Sequence, residues 1–176
     1  MSTIPQFSRR GPREEILLPV RMPYVLVTLL VAMMFNLLPV SGWVLALRPD
    51  CIAFVLVYWG IHEPRKVGLW LAWACGLMMD VADGSLFGEH ALSYAVLLAI
   101  AISMRRRVPM FGIGYQMLHV FVALLACQLM ILAIRSLAGG SFPGWWYFLD
   151  SVTGALMWPV GLMVLRIPLR PKYSQL

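Results

Sequence analysis

Charge is scarce in this chain. Aspartate, glutamate, lysine and arginine make up 12% of its 176 residues, about half of the roughly 25% usual in a soluble domain. The polar segments are all short, so a large catalytic or binding domain in water is excluded. Cysteine is scarce too. Cys51, Cys75 and Cys127 each lie inside an apolar run with no CxxC spacing, which gives neither a disulfide framework nor a zinc site; they read as small buried hydrophobes. His119 has no second histidine, cysteine or acid at ligand spacing, so neither a metal nor a cofactor is expected. HExxH, GxGxxG, the phosphate loop and a Ser–His–Asp set are missing, which argues against an enzyme. A nucleic-acid role lacks the basic–aromatic platform it would need.

What is present is apolar: 61% of the residues are hydrophobic, gathered in runs. The pattern predicts an all-α integral membrane protein, a six-helix transmembrane bundle. Residues 1–23 read as a basic cytoplasmic tail, 24–167 as a single six-span membrane domain and 168–176 as a short cytoplasmic tail. The first run, from Tyr24, lacks a convincing cleavage site and is expected to stay as a helix. Spans are expected at about 24–40, 49–61, 67–82, 90–104, 111–137 and 145–167. The second is short for a bilayer core that takes about 20 residues, and Trp43 to Leu47 is a candidate to complete it as a broken helix. Trp158-Pro159 should kink the sixth.

The basic residues orient the bundle. With both termini inside, twelve of the fourteen lysines and arginines fall on inner segments, the run Arg105-Arg106-Arg107 among them; only Arg48 and Arg135 fall near the outside. The positive-inside rule then puts both termini in the cytoplasm. Asp50, Asp80, Asp83, Glu89 and Asp150 map to the outer rim. The arginine run is read as a topology anchor that also suits anionic membrane lipids. Trp145 to Phe148 read as an interfacial aromatic belt.

One stretch organises the rest. Gly68, Ala72, Gly76 and Asp80 recur every four residues, forming a small-residue stripe that lets two membrane helices approach closely. The stripe ends on an acid, and acids at membrane depth need a partner or a function. Asp80 and Asp83, one turn apart, could hold an ion, form an acid–base pair with Asp150, or join ion pairs with arginines at the same depth. Ion pairing is preferred: Arg48 with Asp80 or Asp83, and Arg135 with Asp150.

Several motifs carry a resemblance. Arg48-Pro49-Asp50 opens an apolar helix, Tyr58-Trp59 lies near its end and Pro64 follows it. Then come Gly76-Leu77-x-x-Asp80, Gly84-Ser85 and Gly88-x-His90-Ala91-Leu92. This order and spacing, from about Arg48 to Leu97, resembles the bacterial rod-shape-determining membrane protein family MreD. The resemblance implies a non-enzymatic subunit of the inner-membrane cell-elongation machinery, with MreC, the MreB cytoskeleton and wall synthases as partners in peptidoglycan synthesis. It also implies a fold like the substrate-binding subunits of vitamin transporters. Partner contacts and helix packing are expected at Arg48, Pro49, Asp50, Tyr58, Trp59, Gly68, Ala72, Gly76, Asp80, Gly84, Gly88 and His90. The alternative is a small-molecule binding or transport subunit with its site at the outer helix ends, where a broken second helix and outer acids would suit a pocket. An intramembrane aspartyl hydrolase would need Asp80 or Asp83 to face Asp150 across one water. A lipid-facing groove would favour the scaffold, a closed polar cavity the binder, and two facing unpaired acids the hydrolase.

Overall fold

The computed structural model describes residues 20–39, 42 and 47–166. The expected terminal tails up to residue 19 and from 168 on, and Trp43 to Ala46 of the possible broken helix, lie outside the described residues. Among those described there are seven α-helices and no strand. In chain order they are α1 (Met22–Asn36), α2 (Cys51–His62), α3 (Leu69–Asp83), α4 (Glu89–Met104), α5 (Ile113–Leu137), α6 (Leu149–Leu156) and α7 (Trp158–Arg166).

The helix α5, 25 residues long, is long and apolar enough to cross a membrane by itself. Trp145–Leu156 and Trp158–Arg166 together pass the same test but are bent by 47°. The break falls at Met157, just before Trp158-Pro159, where proline offers no N–H to the turn behind it. The helices α1, α2 and α4 are apolar but shorter than 18 residues. The start of α2 explains its shortfall against the expected span. Asp50 caps α2 through Ala53 N–H (3.0 Å), so Pro49 stands just before the helix rather than in its first turn. Gly84, at φ +61°, closes α3 in the left-handed conformation that glycine adopts without strain.

α2 sits at the centre. Its residues are buried on every side from Ile52 to Ile61, apart from half-buried Phe54, as expected of a helix apolar all round. α1 packs on α2, and α4 lies between α2, α3 and α5, with α6 against α5. Trp59, fully buried, donates from Nε1 to Thr28 Oγ1 (2.9 Å) on α1 and meets Tyr24 edge-on. Tyr58 stacks on His62. Both aromatic residues of the Tyr58-Trp59 pair therefore belong to the core.

The exterior of the bundle is apolar as well as its core. Leu26, Leu30 and Phe35 on α1, Leu118 and Val122 on α5, and Val160 and Met163 on α7 are all exposed. Apolar surface spread around a whole bundle, rather than in one patch, is what an acyl-chain solvent would cover.

Candidate functional site

The expected residues gather at one end of the bundle, around two carboxylates. Asp80 ends the small-residue stripe on α3 and is 1% exposed. Its Oδ1 accepts from the His90 backbone N–H (2.8 Å), His90 Nδ1 (2.9 Å) and Ser85 Oγ (3.2 Å). Its Oδ2 accepts from Gly88 N–H (2.8 Å). Asp80 thus caps the helix that follows its own: it satisfies N–H groups at the start of α4 and opposes the positive end of that helix dipole. Gly84 and Gly88 supply the left-handed turns at φ +61° and +98° that fold the chain back onto the carboxylate.

The stripe lies against α4. A Cβ on Gly76 would stand 2.3 Å from Ala91 Cα and 2.6 Å from the His90 carbonyl carbon, so only glycine permits this approach. Ala72 is fully buried. Gly68 departs from the expectation: it is the exposed N-cap of α3, and a Cβ at that position would meet nothing within 4 Å.

The second carboxylate, Asp50, joins the far parts of the chain. Its Oδ1 accepts from Asn36 Nδ2 on α1 (2.8 Å) and its Oδ2 from the Tyr94 hydroxyl on α4 (2.6 Å). Asn36 Oδ1 in turn accepts from Cys51 N–H (3.0 Å). The Asp50 backbone N–H donates to Asp150 Oδ1 (2.7 Å), and Gln128 Nε2 on α5 donates to Asp150 Oδ2 (2.9 Å). Gln128 also accepts from the Ser151 hydroxyl. Five helices meet in this network.

Two expected ion pairs are corrected. Arg135 does not reach Asp150; its Nε donates to Glu89 Oε1 at 2.5 Å, and Glu89 is 1% exposed. The reason is level: Arg135 ends α5 where Glu89 begins the antiparallel α4, whereas Asp150 lies deeper, beside Gln128. Arg48 pairs with neither Asp80 nor Asp83; its Nη1 donates to the Leu38 carbonyl (2.8 Å), and His90 already occupies Asp80. Asp83 is exposed. The acid beside Asp150 is Asp50 rather than Asp80 or Asp83, and both are held by neutral donors. His119 Nδ1 bonds the Tyr115 carbonyl (2.8 Å), and no group able to hold a metal ion occurs among the described residues.

Between these two hubs lies a cavity of about 550 Å³, with Asp50, Asp83, Asp150, Arg48 and Arg135 in its walls beside Tyr94, Trp146 and Tyr147. A second, apolar groove of about 330 Å³ runs between α1, α2 and α7, lined by residues such as Val31, Phe35, Phe54, Val160 and Val164. An apolar groove is present, and the cavity with acids and arginines in its walls is half-open rather than closed.

Asp50, Asp80, Gly84, Ser85, Gly88 and His90 of the motifs sit at these hubs, and the family model for rod shape-determining protein MreD matches residues 18–167. The chain belongs to the MreD family. It is 26% identical over 120 residues to a rod shape-determining protein MreD of Haemophilus influenzae, covering 68% of this chain and 74% of that protein. No solved structure matches it. The MreD-like residues Asp80, Gly84, Gly88 and His90 are one local turn, and Asp50 is the long-range hub. The sequence places Glu89 on the outer rim and Gln128 among polar residues able to hydrogen-bond between helices, and gives Asn36 and Tyr94 no role at the site. Glu89 had a signal, as an acid in the first turn of a helix; Gln128 and Asn36 had only their polarity inside apolar runs.

Proposed function

We propose that the chain is a six-span, non-enzymatic subunit of the bacterial cell-elongation complex in the inner membrane. The observation that carries this reading is the MreD match across almost the whole chain. In this reading α1 to α5 are five spans and the bent α6–α7 pair is the sixth, in an arrangement like the substrate-binding subunits of vitamin transporters. Both termini are cytoplasmic. Asp50, Asp80 and Asp150 lie at the outer end, and Arg105, Arg106 and Arg107 at the inner.

The protein acts by holding partners beside it. The single-span protein MreC is the first, and the MreB cytoskeleton and wall synthases are reached through the assembly. The partner helix lies along the apolar groove between α1 and α7. Its rims, Val31 and Val160, are exposed, and helix association in lipid depends on such shape complementarity rather than on hydrophobic drive. Peptidoglycan synthesis and rod shape then depend on the chain as a structural link.

The test is co-purification. Tagged chain extracted from membranes should bring MreC with it. Val160→Trp, which fills the groove without touching either hub, should abolish the complex while leaving a folded, monodisperse protein. Intact MreC binding by that variant would place the partner on another face, and no MreC with the unmodified chain would reject the holding role.

A further inference from the structure

We propose that the polar cavity is a binding site for a small zwitterion, one that carries an ammonium and an oxyanion. Three carboxylates, Asp50, Asp83 and Asp150, face it, and none is in an ion pair among the described residues. Asp50 and Asp150 are held only by neutral donors, and Asp83 stands exposed on the wall. Arg48, in the same wall, meets a carbonyl rather than an acid. Arg135 uses Nε for Glu89 and keeps the outer fork of its guanidinium, which suits an oxyanion.

Charges of both signs therefore line one cavity with no ion pair between its three acids and its two arginines. Half-buried carboxylates without a cationic partner, as at Asp50 and Asp150, are costly among apolar helices and mark binding or transport sites. The volume, about 550 Å³, lies in the roughly 300–1,000 Å³ range of small-molecule sites. The acids would take the ammonium, with Tyr94, Tyr147 and Trp146 offering ring faces to the same cation. The arginines would take the oxyanion. The site does not depend on the partner-holding role. Only the side from which the ligand arrives rests on the proposed orientation.

The same chemistry is found in a lipid headgroup and in a free amino acid, and the test separates them. The full chain, purified in detergent, is titrated with phosphoethanolamine and with alanine, following its melting temperature and tryptophan fluorescence. Ethylammonium and inorganic phosphate serve as half-ligands. At least one zwitterion should stabilise the protein saturably, and each half-ligand should do so much less at equal concentration. Asp83→Asn, at an exposed position outside both hubs, should fold normally and weaken binding roughly tenfold, the effect of one lost charge-assisted contact. In nanodiscs, displacement of the soluble zwitterion by phosphatidylethanolamine, but not by phosphatidylglycerol, would assign the site to a lipid headgroup. Undiminished binding in both lipids would assign it to a free ligand. No response to either zwitterion, equal response to ethylammonium alone, or unchanged affinity in Asp83→Asn would each overturn the proposal.

Discussion

Asp80 and Asp50 are two carboxylates at the same end of one bundle, and they are built in opposite ways. Asp80 is satisfied by residues within ten positions of itself: Ser85, Gly88 and His90. Asp50 is satisfied by Asn36, Ala53 and Tyr94, and its own N–H reaches Asp150, a hundred positions away. The first is a local turn that fastens α3 to α4. The second is a long-range knot that fixes how α1, α2, α4, α5 and α6 stand around the cavity. A fold of short helices uses the first kind of contact to make a hairpin and the second to choose one arrangement of hairpins. The two hubs should therefore fail differently.

Gly76→Leu should have the largest effect. The added side chain would enter the space of the Ala91 backbone, separate α3 from α4 and remove folded protein from a fluorescence size-exclusion profile. Normal yield would show that the stripe does not carry the helix contact. Asp50→Ala comes next. It leaves Asn36, Tyr94 and Ala53 N–H without an acceptor, at ~1–3 kcal/mol each, and should loosen several helices at once. Hydrogen exchange should rise together at the ends of α1, α4 and α5 that meet this network; a rise confined to α2 would show that Asp50 is only a local cap.

Arg135→Gln should cost about 3–5 kcal/mol, because it leaves buried Glu89 unpaired. Adding Glu89→Gln should recover most of that. A double variant as unstable as the single would mean that the pair is not coupled. Asp80→Ala should cost less than Asp50→Ala, roughly 2–3 kcal/mol, because the stranded donors at Ser85 and Gly88 are half-exposed and can reach water. Its exchange should rise only in the α3–α4 turn. Gly68→Leu should be silent in melting temperature, since that position has open space around it.

The same contrast explains how much could be read from the sequence. The all-helical class, the start of α2 at Arg48-Pro49-Asp50 and the turn from Asp80 to His90 are local, and their residue types announce them. Gly76 was legible because small residues at a four-residue spacing have a packing meaning by themselves. The long-range partners were not legible. Arg135 and Asp150 share a loop, which suggested a pair, but depth along α5 decides the matter, and it is set by how α6 seats against Gln128. Glu89 lies between two motif residues, and its burial depends on a helix that begins 24 positions later. The length of α2 was overestimated because apolar composition does not show where a polar cap such as Asp50 cuts into a run.

The most direct test of a role in elongation is depletion of the chain from the bacterium that encodes it, with cell shape measured over the following generations. Cells should lose their rod shape and become round, and re-expression of the unmodified chain should restore them. Cells that keep their shape and width through full depletion would contradict a role in the elongation complex.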